Sequence, residues 1–319
     1  MGYSHIQVEP IAGALGAEIS GVDLRESLDD AVFEEIHRAF LDHLVIFFRD
    51  QHLTPVQQRD FAARFGPPNQ YVFAKGLEEC PEVIEIVKEP HETVNFGGGW
   101  HSDTCYLERP PKCTCLLAKE TPPLGGDTLF ANMYLAYETL SDGMKALLDG
   151  LVAINTASLL NRGGSNTRFG FSSIQGQNEA AAETTVAEHP AIRTHPETGR
   201  KSIYLDALHT PAFKDMSDQE SAPVLNYLFE HAVRPEFTCR FQWRPGSMAL
   251  WDNRCAQHYP LNDYHGQRRL LHRVTIIGDK PFYTDDGTRP DNTYSPFRGR
   301  LAAQRSSNGL DGGTKPIVK

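Results

Sequence analysis

The stretch SMALWDNRCAQHYPLNDYHGQRRLLHRVTIIG, residues 247–278, decides the fold. Two strand-like runs, 247–252 and 270–278, flank a turn-rich link that carries His258 and Tyr259. The second run alternates as a strand does, with Arg269, Leu271, Arg273 and Thr275 on one face and Leu270, His272, Val274 and Ile276 on the other. Two arginines facing into an otherwise apolar sheet are costly unless they meet anions. A guanidinium suits a carboxylate because it donates two parallel hydrogen bonds. Arg268 points the opposite way and reads as surface charge. With a further strand-like run at 237–243, short strands and turns dominate the second half of the chain, which suits a sandwich or barrel.

A candidate metal-binding motif lies upstream, in Trp100-His101-Ser102-Asp103. In a strand, residues i and i+2 point the same way, so His101 and Asp103 are expected to present an imidazole and a carboxylate side by side. H-x-D alone is a weak signal, and an isolated His258 would more often be an ordinary core or surface residue. Gly97-Gly98-Gly99 and Trp100 add a flexible approach and an aromatic wall. Taken together, His101, Asp103 and His258 fill three positions on one face of an iron(II) ion, leaving three for a co-substrate and oxygen. Arg269, eleven residues past His258, can hold the far carboxylate of a 2-oxo acid bound to that iron.

The 319 residues are 40% hydrophobic and 23% charged, enough to bury a sizeable core in one large domain or two small ones. A formal charge of -10, with no basic run longer than Arg268-Arg269, argues against a nucleic-acid partner. No apolar run approaches the roughly 18 residues that span a bilayer. The N-terminal MGYSHIQVEP lacks the regions of a signal peptide. Six cysteines with no C-x-x-C pair are expected to be reduced thiols of a cytoplasmic protein.

Residues 6–24 read as short strands and turns around Gly13, Gly16 and Gly21. Ser27 and Asp30 resemble a capping box, and Val32, Phe33, Ile36, Ala39 and Phe40 recur at helical spacing. Leu44–Phe48 is a buried strand, Thr54-Pro55 opens a second helix and Gly66 stops it. Strands are expected at 83–87 and 113–118, and helices at 134–150 and, with a Ser217…Glu220 capping box, at 217–233. Around 157–187 the chain turns polar and Gly/Asn/Ser-rich, which reads either as an active-site lid or as a disordered insertion. Residues 284–319 read as a polar tail that orders against a partner subunit. No repeat or linker divides the rest, so 1–283 is expected to be a single catalytic domain.

With these segments assembled, the chain resembles the taurine / 2,4-dichlorophenoxyacetate dioxygenase family of iron(II), 2-oxoglutarate-dependent oxygenases. The resemblance runs from about Ile6 to Phe282. It rests on Gly16–Leu24, Phe47–Gln51, Trp100–Asp103, Gly125-Gly126-Asp127-Thr128, Trp251–Arg254 with His258-Tyr259, and Gln267-Arg268-Arg269 with His272-Arg273. It implies a mainly β jelly roll (a double-stranded β-helix) with flanking helices, and turnover of 2-oxoglutarate and O2 to succinate and CO2. It makes His101, Asp103 and His258 the Fe(2+) ligands. Thr128 and Arg269 become the contacts of the 2-oxoglutarate carboxylate, and Arg273 the partner of an acidic group on the substrate. Without the resemblance, Thr128 reads as a turn residue and Arg273 as half of a structural ion pair.

The substrate pocket departs from the taurine-specific members, which carry an asparagine where this chain has about Gly97. Asn95, two residues away, substitutes only if the loop shifts. Asn69-Gln70-Tyr71-Val72-Phe73 replaces a histidine and a tyrosine that meet a sulfonate in those members. Tyr71, Phe73, Tyr106 and Phe169 are candidate pocket walls or ordinary core. The expected substrate is a small anion: a sulfonate, an alkyl sulfate or an aryloxy carboxylate. Alternatives are hydroxylation or desaturation of a non-acidic biosynthetic intermediate, a zinc hydrolase or isomerase on the same fold, and a non-catalytic binding protein. A homo-oligomer, dimer or tetramer, is expected, with neither nucleic acid nor membrane as partner.

Overall fold

The computed structural model describes residues 2–71, 73–157 and 185–285. The chain opens with a hairpin of β1 (Gln7–Pro10) and β2 (Ala17–Ser20), followed by helix α1 (Asp30–His43), β3 (Val45–Phe48) and helix α2 (Pro55–Ala63). Two edge strands, β4 (Pro68–Asn69) and β5 (Ile84–Lys88), lead to β6 (Cys113–Glu120) and β7 (Thr128–Asn132). Helices α3 (Met133–Glu138) and α4 (Asp142–Leu148) precede β8 (Val152–Thr156), β9 (Val186–Pro190), β10 (Ile192–Thr194), β11 (Lys201–Ile203) and β12 (Ala212–Phe213). After the Asp218–Ala232 helix come β13 (Thr238–Phe241), β14 (Met248–Asp252), β15 (Ala256–Pro260) and β16 (Arg269–Ile276).

Two sheets face each other. The larger runs β1-β2-β3-β14-β6-β16-β4, with β5 also on β16, and the smaller runs β13-β7-β15. Inward side chains of both sheets meet in one core: Phe47, Leu116, Ala249, Trp251 and Leu271 from the larger, Phe130, Phe241 and Ala256 from the smaller. Phe47 stacks on Phe241 at 3.9 Å between ring centroids and meets Phe130 edge-on at 5.6 Å. Each such ring contributes roughly 1.5–3 kcal/mol by burial alone. The arrangement is the expected jelly roll, with helices outside it. A second apolar cluster, around Phe213, Leu225 and Leu228, joins α3, the Asp218–Ala232 helix and the β8–β12 region.

Local chemistry explains most element ends. Thr54 and Gln57 form a reciprocal capping box with Pro55 in the first turn of α2, and Ser217 with Glu220 does the same for the Asp218–Ala232 helix. Other expectations need correction. Helix α1 starts at Asp30 with Asp29 as its N-cap and no side-chain cap bond, so the Ser27/Asp30 box does not form. The single helix at 134–150 is two: Thr139 turns its hydroxyl back onto Leu135 O, and Ser141 caps a new start through Met144 N. Asn132 caps α3 by accepting from Tyr134 N and Leu135 N, directly after strand β7, which periodicity alone did not reveal. The lid segment 158–184 and Phe169 within it lie outside the described residues, as does the tail from 286. The ends of that segment are held together: Thr156 pairs with Val186, and Ala157 N donates to Thr185 O at 3.3 Å. Strand β9 therefore begins at Val186, inside the expected lid.

Candidate active site

His258 sits in the middle of β15, opposite Phe130 on β7. The other edge of β15 carries a one-residue antiparallel bridge: His101 N donates to His258 O at 3.1 Å and His258 N to His101 O at 2.9 Å. This pairing sets the two imidazoles side by side, 4.2 Å between centroids. The H-x-D segment is thus not a regular strand, as expected from period two, but a single bridge followed by a turn in which Thr104 takes φ 44. His101 Nδ1 donates to Gly99 O at 2.8 Å, which fixes the tautomer and leaves Nε2 facing Asp103 Oδ1 at 3.9 Å. The loop carrying Gly99 needs glycine at 97: its φ is 73, and a Cβ there would lie 2.9 Å from His101 Cε1.

Asp103 is braced from behind. Thr114 Oγ1, on β6, donates to Asp103 Oδ2 at 2.5 Å. Asn253 Nδ2 donates to that same hydroxyl at 2.9 Å, and Asn253 Oδ1 accepts from Trp251 Nε1 at 2.9 Å. The Asp252–Arg254 turn that holds Asn253 is anchored by a buried ionic cluster, in which Arg254 bonds Asp252 and Glu197, and Glu197 meets Lys112. Ser102, between the two motif residues, donates its N–H to Asp206 Oδ2 at 3.3 Å. His101, Asp103 and His258 each offer one ligand atom, all within 4.8 Å of one another.

Burial lowers the pKa of both site histidines, that of His258 most strongly. Burial would raise the Asp103 carboxyl, but Arg273, His258, His101 and Thr114 outweigh it and hold it below the usual carboxylate range. Two neutral imidazoles and one carboxylate therefore converge, a donor set that fits a divalent first-row metal. The other two buried His/Cys/Asp groupings serve structure. Asp206 accepts from Cys105, His209 and three backbone N–H groups, and Asp252 is taken up by Arg254 and His195.

One cavity joins this triad to both arginines of β16, with Thr128 beside Arg269 and apolar walls from Ile86, Phe96, Leu116 and Leu271. The face that alternation assigned to Arg269, Leu271 and Arg273 is the face that lines it. Arg269 is buried, with Nε and Nη2 unpaired, between the rings of Trp243 (5.7 Å) and Tyr264 (5.9 Å). The Thr128 hydroxyl accepts from Trp243 Nε1 at 2.9 Å, leaving its proton to donate into the cavity. Arg273 Nη2 lies 2.7 Å from Asp103 Oδ1, an ion pair without hydrogen-bond alignment. Tyr71 lies beneath the Arg273 guanidinium at 5.2 Å, and Phe73 packs edge-on against Tyr71 at 5.7 Å. Asn95 is a brace: its amide donates to Leu261 O (2.8 Å) and accepts from Tyr264 Oη (2.9 Å), while the adjacent Phe96 lines the cavity. Sequence reasoning missed Thr114, Asn253, Asp206, Trp243 and Tyr264. Asn253 and Thr114 carried a faint signal, as polar residues in or beside apolar strands.

A jelly roll holding this triad beside an unpaired arginine defines a metal-dependent enzyme for 2-oxo acids. The sequence matches the family described as "Taurine catabolism dioxygenase TauD, TfdA family" over residues 7–275. An alkylsulfatase from Acinetobacter baylyi is 34% identical over 86% of this chain and 86% of its own. An alpha-ketoglutarate-dependent sulfate ester dioxygenase from Pseudomonas putida is 32% identical over 88% of this chain and 92% of its own. The crystal structure of a taurine dioxygenase from Burkholderia xenovorans superposes with a TM-score of 0.73, at 36% identity, covering 89% of this chain and 95% of that one. The chain belongs to the TauD/TfdA family of 2-oxoglutarate-dependent dioxygenases, which use a metal and O2 on small molecules. Among the described residues, no helix is long and apolar enough to cross a membrane.

Proposed function

We propose that this enzyme uses iron(II), held by His101, Asp103 and His258, to hydroxylate a small anionic substrate, with 2-oxoglutarate converted to succinate and CO2. The substrate is a sulfate ester or sulfonate with an apolar tail, or an aryloxy acid. The observation that carries this reading is the shared cavity, which holds a three-donor site, Arg269 with unmade donors, and Arg273 against the triad's Asp103. Bound iron supplies the oxygen activation. Arg269 and Thr128 seat the distal carboxylate of 2-oxoglutarate, whose keto acid end then meets the triad in the same cavity. Arg273, backed by Tyr71 and Phe73, receives the substrate anion. Ile86, Phe96, Leu116 and Leu271 exclude water around the reacting carbon.

Sulfate esters are the first substrates to test, because two relatives bear that activity in their names and the walls are apolar. Among the described residues that line the cavity, the one carboxylate is that of Asp103 in the triad, and Asn95 is engaged with Leu261 and Tyr264, so an ammonium has no second carboxylate or amide acceptor there. Hydroxylation beside the ester oxygen yields a hemiacetal-like product that breaks to an aldehyde and sulfate. The proposal takes 1–283 as the catalytic unit and sets the enzyme in the cytoplasm, consistent with six unpaired cysteines.

The test is succinate formation by anaerobically iron-loaded protein given 2-oxoglutarate, O2 and a panel of alkyl sulfates, apolar sulfonates, aryloxy acids and taurine. Succinate stimulated by an apolar anion, and abolished in Arg273→Ala, supports the assignment. Stimulation only by neutral compounds would overturn the substrate class and leave the cofactor chemistry in place.

A further inference from the structure

Strand β5 pairs with β16 in a register that sets Ile84 against Arg273, Ile86 against Leu271 and Lys88 against Arg269. Cross-strand partners have Cβ atoms about 4.5–5.5 Å apart and project to the same face. Ile86, Leu271, Arg269 and Arg273 all line the active-site cavity. The same alternation therefore turns Lys88 toward the Arg269 end of that cavity. Lys88 is 4% exposed, and its Nζ has no hydrogen-bond partner. Its Nζ lies over the face of Tyr264, 4.2 Å from the ring centroid, and the same tyrosine flanks Arg269.

A buried ammonium with none of its three donors satisfied is expensive to keep in a fold. Neighbouring carboxylates leave these donors unmade: Asp127 accepts from Arg240 at 2.6 Å, and Lys88 Nζ makes no hydrogen bond although the charges of Glu92 and Asp127 favour the two cations. Two cations, Lys88 and Arg269, are thus left side by side with unmade donors, where one carboxylate with four lone-pair positions could satisfy both.

We propose that Lys88 is a second cationic contact for the distal carboxylate of 2-oxoglutarate, forming with Arg269 a two-cation seat. This rests on the assignment of Arg269 to that carboxylate. Binding is measured by calorimetry on Mn(II)-loaded protein under argon. The ligands are 2-oxoglutarate and 2-oxobutyrate, which lacks the distal carboxylate, and the proteins are wild type, Lys88→Met and Lys88→Arg. Methionine keeps the buried stem and removes the charge.

The expected result is about a tenfold loss of 2-oxoglutarate affinity in Lys88→Met, equivalent to about 1.4 kcal/mol. Binding of 2-oxobutyrate stays unchanged, and Lys88→Arg recovers most of the loss. The melting temperature of Lys88→Met is expected to equal or exceed that of wild type, since an unsatisfied buried charge has been removed. A merely structural lysine would instead lower it. Equal 2-oxoglutarate affinity in Lys88→Met, or a parallel loss for both ligands, overturns the proposal. Wild-type protein that binds metal but no 2-oxoglutarate would overturn the cosubstrate assignment instead.

Discussion

The two ends of the cavity are built on opposite plans. At the triad end, polar groups behind the ligands are mostly satisfied: Gly99 O holds His101, and Thr114 with Asn253 holds Asp103. His258 Nδ1 is unpaired, its ring fixed by packing on Trp251 at 4.6 Å, and Arg273 Nη2 meets Asp103 as a charge without an aligned hydrogen bond. At the Arg269 end, Arg269 Nε and Nη2 and Lys88 Nζ are left without partners, beside the rings of Trp243 and Tyr264. A metal site needs its ligands aimed before the ion arrives, so outer hydrogen bonds are made within the protein. An anion seat needs free donors in a dry setting, so hydrogen bonds are withheld from it.

Breaking this contrast at the triad end has the largest expected effect. His101→Ala removes one of the three proposed ligands and is expected to lower metal affinity by more than roughly a hundredfold, beyond the range seen for outer contacts. Metal titration with a spectroscopic Co(II) probe checks it. Next, Arg269→Met should weaken 2-oxoglutarate about a hundredfold, since hydrogen bonds to a charged group are worth about 1.5–3 kcal/mol each. Metal affinity is left as it was, and calorimetry on the metal-loaded protein separates the two effects. Thr114→Val keeps the shape of the brace and removes its donor to Asp103. It should reduce metal affinity about tenfold, at the low end for outer contacts, with 2-oxoglutarate affinity falling only through the metal. A Thr114→Val protein that binds metal like wild type would show that packing alone aims Asp103.

The smallest effect concerns the scaffold. Burial pushes the pKa of His189 and of His195 down to about 4. Both are neutral in the folded state, whereas the unfolded chain protonates them near 6.5. Folding stability from these groups is present above about pH 6.5 and is lost as pH falls through about 4. Melting temperature should fall across that window, and His189→Gln should flatten the fall.

Legibility followed the range of the interactions. The inward face of β16 was readable because alternation is local, and it placed Arg269, Leu271 and Arg273 together on the cavity wall. The helix start at Thr54-Pro55 and the Ser217…Glu220 capping box were readable for the same reason. The bridge between His101 and His258 was not, since it joins residues 157 positions apart (258 − 101). A regular strand was expected at the H-x-D motif, where Thr104 instead turns the chain. Asn95 looked free from the sequence because its partners, Leu261 and Tyr264, come from the far side of β15. Lys88 was invisible as a site residue because its meaning depends on its register with Arg269.

The pairing of Thr156 with Val186 has a consequence for how this scaffold varies. The chain leaves the β8–β9 ladder at Ala157 and returns at Thr185, joined by a backbone hydrogen bond. The two ends of the intervening segment thus start and finish on one closed rung, so a change in its length need not move β8 or β9. Doubling such an insert costs only about 0.6 kcal/mol in loop entropy. The closed rung is therefore a natural splice point: a chimera that exchanges residues 158–184 is expected to keep the β8–β9 ladder, which its melting temperature checks.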